Sequence, residues 1–480
     1  MGTRCFIAMW CLLLALGASA HTEIALPSLG DGSSSLFSQS QEHTLGRAWL
    51  SAFRSQVKTI DDPLMQVYIE QLIYKLASHS ELQDRRLEVV IVDNPTMNAF
   101  AVPGGVIGVH NGLFLFADTE AQLASVLGHE LAHLSQRHFV RGLEARQRAS
   151  IPTMAGLLAS IVLAATAGGD AGIAAMTATQ AAALQNQLRY SRQNEQEADR
   201  IGMDTLVAAG YDPNAAPAMF DNMQQALRYA GQRPPEFLLT HPLTENRIAD
   251  TRNRARQYPQ KIYTDTLDYQ LLRARAELQL TPRSDEAVKR FRSQVQSSDN
   301  RRPEASRYGL ALAYTRGGRY AEASEALAPL LANEPNRLEY VIARADIEIG
   351  LGELDTARQR LQRALAINPS NHPLTMAYAN ALLKSHMPQQ AEALLQEHVK
   401  RRPTDPAVWY LLAEVHGLAG NIVGVHQARA EYFVLNGVLD RAIQQLGYAL
   451  PLVKHDRISE ARIQERIRQI QQLKIDLKQL

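Results

Sequence analysis

Apolar positions recur along this chain with different periods, and each period predicts a different element. Leu123, Leu127, Leu131 and Leu134 fall at spacings of four, four and three, which marks one apolar face of a helix. Thr119-Glu-Ala-Gln122 just ahead reads as a capping box, in which the Thr119 hydroxyl and the Gln122 side chain satisfy backbone donors that a helix start leaves free. Leu87-Glu-Val-Val-Ile-Val92, bounded by Asp93-Asn-Pro95, is a short β-branched run that predicts a buried strand. Asn98-Ala-Phe-Ala-Val-Pro-Gly-Gly105 leads into Val106-Ile-Gly-Val109, and the Pro-Gly-Gly turn between two apolar runs predicts a hairpin in a small sheet.

The second half follows a longer period. Ala311, Ala345, Ala379 and Ala413 are 34 residues apart, and Ala323, Ala357 and Ala391 keep the same step, as do Pro335, Pro369 and Pro403. Small residues where paired helices touch, with proline closing each unit, resemble tetratricopeptide repeats. Gly318, Gly352 and Gly420 fall on the same grid in the turn between helices, and His386 breaks it. Arrays of this kind stack into a curved surface that binds polypeptides; a spacer or dimerisation arm is the other reading. Residues 451–480 would cap or extend the array.

The N-terminus predicts a compartment. Met1-Gly-Thr-Arg4 is basic, Cys5 to Leu16 is apolar, and Ala18-Ser-Ala20 is a small-residue cleavage pattern. The apolar run is short for a membrane span, so residues 1–20 are expected to be a signal peptide, with His21 the first mature residue and the periplasm the destination. Cys5 and Cys11, the two cysteines of the chain, would leave with it, which excludes a disulfide, a cysteine nucleophile and a zinc–thiolate site. Between Arg148 and Arg189 the one charge is Asp170. That stretch is long enough to cross a membrane, but glycine and alanine dominate it and Pro152 interrupts its start. A mobile or membrane-touching loop through 149–188, a buried core segment and a true span all stay open. At 480 residues, 46% hydrophobic and 21% charged, the chain can bury ordinary cores. Lys and Arg number 50 against 49 Asp and Glu, so no global field favours nucleic acid.

Candidate chemistry lies on the leucine-striped helix. His129-Glu130-Leu131-Ala132-His133 places two histidines four residues apart, on one helical face and away from the leucines. Both imidazoles can reach one Zn²⁺, with Glu130 beside them as a general base for water. The histidines are expected to face a cleft. A catalytic site needs a third protein ligand. The metzincin pattern does not supply it, because Gln136 and Phe139 stand where its glycine and histidine would be. His138 lies five residues past His133, on a different side of a continuing helix. Glu195 and Asp199, four apart in Tyr190-Ser-Arg-Gln-Asn-Glu-Gln-Glu-Ala-Asp199, share a face. Glu195 can therefore ligate while Asp199 orients a ligand histidine through its second nitrogen. Glu197 points to the opposite side and is the weaker candidate.

His129–His133, the block Ser191-Arg192…Glu195…Ala198-Asp199, and Thr240-His241-Pro242…Arg247 together resemble the gluzincin metalloproteases that include HtpX and the CAAX prenyl proteases. A core followed by helical repeats narrows the resemblance to the bacterial β-barrel assembly-enhancing proteases, over residues 40–450. That resemblance implies His129, His133 and Glu195 as ligands of one zinc per subunit, Glu130 as base, and His241 and Arg247 at the active site. A cation there would stabilise an oxyanion, and His241 would also approach the zinc. The resemblance implies that the hairpin edge holds substrate as an added strand, since backbone pairing is indifferent to sequence. The expected fold is an α+β zinc metalloprotease domain over 21–262, an all-α tetratricopeptide solenoid over 263–450 and a helical extension over 451–480. The expected activity is a periplasmic zinc endopeptidase that removes misassembled outer-membrane β-barrel proteins and works with the β-barrel assembly machinery. A chaperone or assembly factor with a largely silent protease site is the alternative.

Overall fold

A computed structural model describes residues 38–147, 191–229, 235–259 and 261–479. The expected signal peptide and the 149–188 segment lie outside them. Among the described residues no helix is long and apolar enough to cross a membrane.

Helices α1 (Gln39–Gln56) and α2 (Pro63–Ser78) precede a three-stranded sheet of β1 (Glu88–Val92), β2 (Ala99–Val102) and β3 (Val106–His110). β3 is central, parallel to β1 and antiparallel to β2, with Val102 opposite Val106 across the hairpin. The turn forms because Gly104 and Gly105 take φ of 86° and 80°, which side chains resist. A short helix α3 (Leu113–Phe116) leads to α4 (Glu120–Ser135) and α5 (His138–Gln147). Thr119 caps α4 by accepting from the Gln122 N–H. The capping box is only half formed, because the Gln122 side chain reaches one residue further back and accepts from the Asp118 N–H. The leucine stripe enters the core as expected: Leu123, Leu127 and Leu131 are fully buried with Ile69, Leu76 and Ile91, and Leu134 packs against them.

Helices α6 (Arg192–Ala208), α7 (Ala215–Tyr229), α8 (Glu236–Thr240) and α9 (Glu245–Ala255) complete the layers around α4. Helix pairs follow: α10 (Leu267–Leu280) with α11 (Ser284–Gln296), α12 (Pro303–Arg316) with α13 (Tyr320–Asn333), and α14 (Leu338–Gly350) with α15 (Leu354–Ile367). Next come α16 (His372–Lys384) with α17 (Pro388–Val399), α18 (Pro406–Ala419) with α19 (Ile422–Leu435), α20 (Leu439–Ala449) and α21 (Arg457–Gln479). The alanines of the 34-residue grid are the buried contacts between these helices. Gly318, Gly352 and Gly420 turn with φ of 70–82°, and His386 takes φ 57° in the equivalent turn. The grid is broken in residue type there, not in backbone shape.

Packing crosses the expected division at 262/263. Tyr269, Leu272 and Ala276 of α10 belong to the same core as Leu127 and Ile91, and the Tyr269 hydroxyl donates to the Ala117 carbonyl at 2.7 Å. Asp62, which caps α2, accepts from Arg275 at 2.6 Å and 2.8 Å. The array then curves back: Leu64 of α2 is buried with Val341, Ile342 and Leu374, Arg402 pairs with Glu70 at 2.8 Å, and Ser51 of α1 donates to Val434 O at 2.9 Å.

Candidate metal centre

Two glycines let α4 and α6 meet. A Cβ on Gly202 would stand 2.9 Å from the His129 nitrogen and 3.1 Å from the Gly128 backbone, so only glycine permits this approach. From that contact, His129 and His133 project from α4 and Glu195 from the first turn of α6, which Ser191 caps. His241 comes from the C-cap of α8, where Pro242 ends the helix and the His241 N–H bonds Phe237 O at 2.8 Å.

The donor atoms converge. His129 Nε2 lies 3.0 Å from His133 Nε2 and 3.4 Å from His241 Nδ1. Glu195 Oε1 lies 3.4 Å from His133 Nε2 and 3.1 Å from His241 Nδ1. All four residues are buried; His129 lines a small cavity with Asp199, Phe237 and Arg247, and the ring of Phe237 stacks on His241. Asp199 Oδ1 sits 3.0 Å from His129 Nδ1. A carboxylate there accepts a hydrogen bond from Nδ1–H and leaves Nε2 as a bare lone pair aimed at the cluster.

Arg247 takes up a different place from the one expected of an oxyanion-stabilising cation. Its Nε and Nη2 each donate to Asp199 at 2.7 Å. Its Nη1 lies 2.8 Å from Glu195 Oε2 and donates to Pro242 O at 2.9 Å. All three nitrogens are engaged, so Arg247 braces two carboxylates of α6.

Comparison with known proteins gives the family. Residues 63–255 match peptidase family M48, and residues 348–415 match a tetratricopeptide repeat family. The beta-barrel assembly-enhancing protease of Escherichia coli strain K12 is 36% identical over 456 residues, covering 95% of this chain and 93% of that protein. The protein of the same name from Yersinia pestis is 34% identical, covering 93% and 92%. The chain belongs to the family of β-barrel assembly-enhancing proteases. A mitochondrial metalloendopeptidase of Arabidopsis thaliana is 30% identical over 190 residues, 40% of this chain and 36% of that one. Within this family the chain is a metalloprotease, and membership implies a metal ion.

The residues suit one. Four nitrogen and oxygen donors lie within 4.8 Å of one another. Donors about 2.0–2.1 Å from a shared tetrahedral centre stand ~3.3 Å apart; four of the separations here are 3.0–3.4 Å, and His129 Nε2 lies 3.6 Å from Glu195 Oε2. Charge is arranged to match. Against the cost of burial, His241 and His133 hold the Glu195 carboxyl well below the usual range, so it is an anion ready to bind a cation. Burial raises the Glu130 carboxyl, against the pull of His241 and His129, which makes it a stronger base than a solvated glutamate. Among the described residues Glu130 Oε1 has no hydrogen-bond partner, and it lies 3.6 Å from His241 Nε2.

Gly128, Gly202 and His138 are site residues to which helical phase along the sequence does not point. Helical phase put His138 on another side because it assumed an unbroken helix. The helix ends at Ser135, Arg137 takes a left-handed φ of 51°, and the chain folds His138 back to His133. Glu42 of α1 holds Arg137 in that conformation through an ion pair. The isolated Gln136-Arg137-His138 step carries no residue that signals such a turn.

Proposed function

We propose that this protein is a zinc-dependent endopeptidase of the bacterial periplasm that acts in outer-membrane protein assembly, degrades misassembled β-barrel proteins and works beside the assembly machinery. The observation that carries the zinc assignment is the set of four buried donors that converge within 4.8 Å of one another. Two or three imidazoles and one carboxylate make a zinc-type donor set. The substrate class and the compartment rest on likeness to relatives named for β-barrel assembly and on the signal-like N-terminus.

His129, His133 and Glu195 would hold the ion. Bound zinc supplies Lewis acidity, which activates water and polarises a carbonyl. Glu130 takes the proton from the attacking water and passes it to the leaving amine. β2 is an edge strand, and its Ala101 backbone lies beside the Glu130 carboxylate, so the open edge runs past the base. An extended peptide paired there presents its backbone to Glu130 without regard to sequence. With His241 as a fourth donor no position would be left for water, so the working form would need His241 displaced. The buried cluster with four protein donors is also the observation that favours the second reading, an assembly factor with a silent protease site, because catalytic zinc sites keep one position open.

Glu130→Gln separates the two. It keeps every proposed ligand and removes the base. Zinc content should be unchanged, cleavage of a β-barrel substrate should be lost, and complementation in the cell should fail. Full complementation by the variant would reject the protease reading in favour of the assembly factor.

A further inference from the structure

His133 is held on the side away from the donor cluster by two residues outside it. Its Nδ1 faces His138 Nδ1 at 2.9 Å, and His138 Nε2 faces Glu197 Oε2 at 3.0 Å. The two rings cross at 74° with centroids 4.9 Å apart, so the nitrogens meet edge to edge. We propose that Glu197 and His138 form a relay that fixes the tautomer and ring plane of His133, so that its Nε2 presents a lone pair to the metal. Both are positioning residues, and the inference rests on the reading of His133 as a ligand.

Hydrogen-bond bookkeeping dictates the direction. A carboxylate only accepts, so His138 Nε2 carries the proton towards Glu197. His138 Nδ1 is then bare and must accept, so the proton between the two rings belongs to His133 Nδ1. That leaves His133 Nε2 unprotonated, and Nε2 is the atom that lies 3.0 Å from His129 Nε2 and 3.4 Å from Glu195 Oε1. His129 reaches the same state by a direct bond to Asp199. One helix thus orients both histidines, through Asp199 in contact and through Glu197 by way of an intervening imidazole. The intermediary is needed because Glu197 lies at the rim, with over a third of its side chain exposed and Arg141 at 3.3 Å. His138 is fully buried between them. Outer partners of this kind raise ligand basicity and cut the rotational freedom lost on binding.

The test is the zinc dissociation constant of the full-length protein, measured by competition with a chromogenic chelator, beside the urea midpoint of the metal-free form. His138→Phe keeps the volume and removes the relay; it should weaken zinc by roughly 10–100-fold, the range for outer partners of a ligand, with the metal-free midpoint unchanged. His138→Asn offers Oδ1 as an acceptor for His133 and should recover part of that loss. Glu197→Ala, at a site open enough to tolerate truncation, should weaken zinc by threefold or more, and it decides the matter if His138→Phe does not fold. Zinc affinity within threefold of the parent in the folded variants overturns the relay, as does weakening that follows the metal-free midpoint or that His138→Asn does not relieve. His133→Ala separates the two levels. Retention of zinc there would reject the ligand assignment itself, whereas its loss beside an unaffected His138→Phe would reject only the relay.

Discussion

Gly202→Ala tests whether the helix contact sets the donor spacing. The added Cβ would stand 2.9 Å from the His129 nitrogen and 3.1 Å from Gly128 C and O, where ordinary contact begins at 3.4 Å. Every obstructing atom is backbone of α4, so no side chain can swing aside and the helices must part by about 0.3–0.5 Å. Overpacking of this kind costs ~1–3 kcal/mol, while alanine in place of a helical glycine returns ~0.8–1 kcal/mol. The net loss of stability should be about 1 kcal/mol. The effect on the metal should be larger, because α6 carries Glu195 and Asp199 and donor positions are tolerated only to about ±0.2 Å. We expect at least a tenfold loss of zinc affinity. Gly447→Ala is the control: it lies in α20 with nothing within 4 Å of a new Cβ, and should stabilise by up to ~1 kcal/mol without touching the metal. Urea unfolding of the metal-free proteins and zinc retention against graded chelator read both effects. A Gly202→Ala protein that holds zinc as the parent does would refute the argument that this contact spaces the donors.

Three further outcomes follow from the same contacts. Glu195→Gln should lose zinc on dialysis, while Asp199→Asn should retain it with affinity reduced roughly 10–100-fold; equal losses would show that Asp199 is itself a ligand. A chain ended after Tyr263 loses Tyr269, Leu272 and Ala276 from the core around α4, so calorimetry should show a lowered, broadened transition and metal analysis a loss of zinc; full cooperativity with zinc retained would show that the protease core needs nothing from α10. Burial, aided by Arg402 and His398 and opposed by Asp405, lowers His372 to about 3 from an unfolded value of 6.5. Its contribution is complete above pH 6.5 and is lost as pH falls towards 3, at up to ~1.4 kcal/mol per unit, so His372→Gln should flatten the acid limb of stability against pH, and an unchanged slope between pH 6 and 4 would contradict the assignment.

Periodic features were legible in the chain because they are local. The leucine spacing that buries one face of α4 also turns His129 and His133 away from it, and the 34-residue step of alanines is a direct record of helices touching their neighbours. Glu195 and Asp199 were found together for the same reason, since four residues on one helix share a face. Phase arguments hold only while the helix continues, and that is where they failed. Arg137 ends the run with a left-handed residue, so His138 returned to His133 and Glu197, at the rim of α6, acquired a partner. Arg247 looked free for an oxyanion because nothing local shows that three carboxylate and carbonyl groups surround it.

By itself, then, the sequence determined the leucine-faced helix, the strands of the small sheet, the helix pairs of the array and which side chains carry donors, all consequences of spacing along the chain. Tertiary structure decided how close α4 and α6 stand through Gly128 and Gly202, that His241 completes the cluster, and that the array closes back on α1 and α2 through Ser51, Glu70 and Leu64. Those contacts join residues from tens to hundreds of positions apart, and their distances are set by packing between elements, which periodicity along one element does not encode.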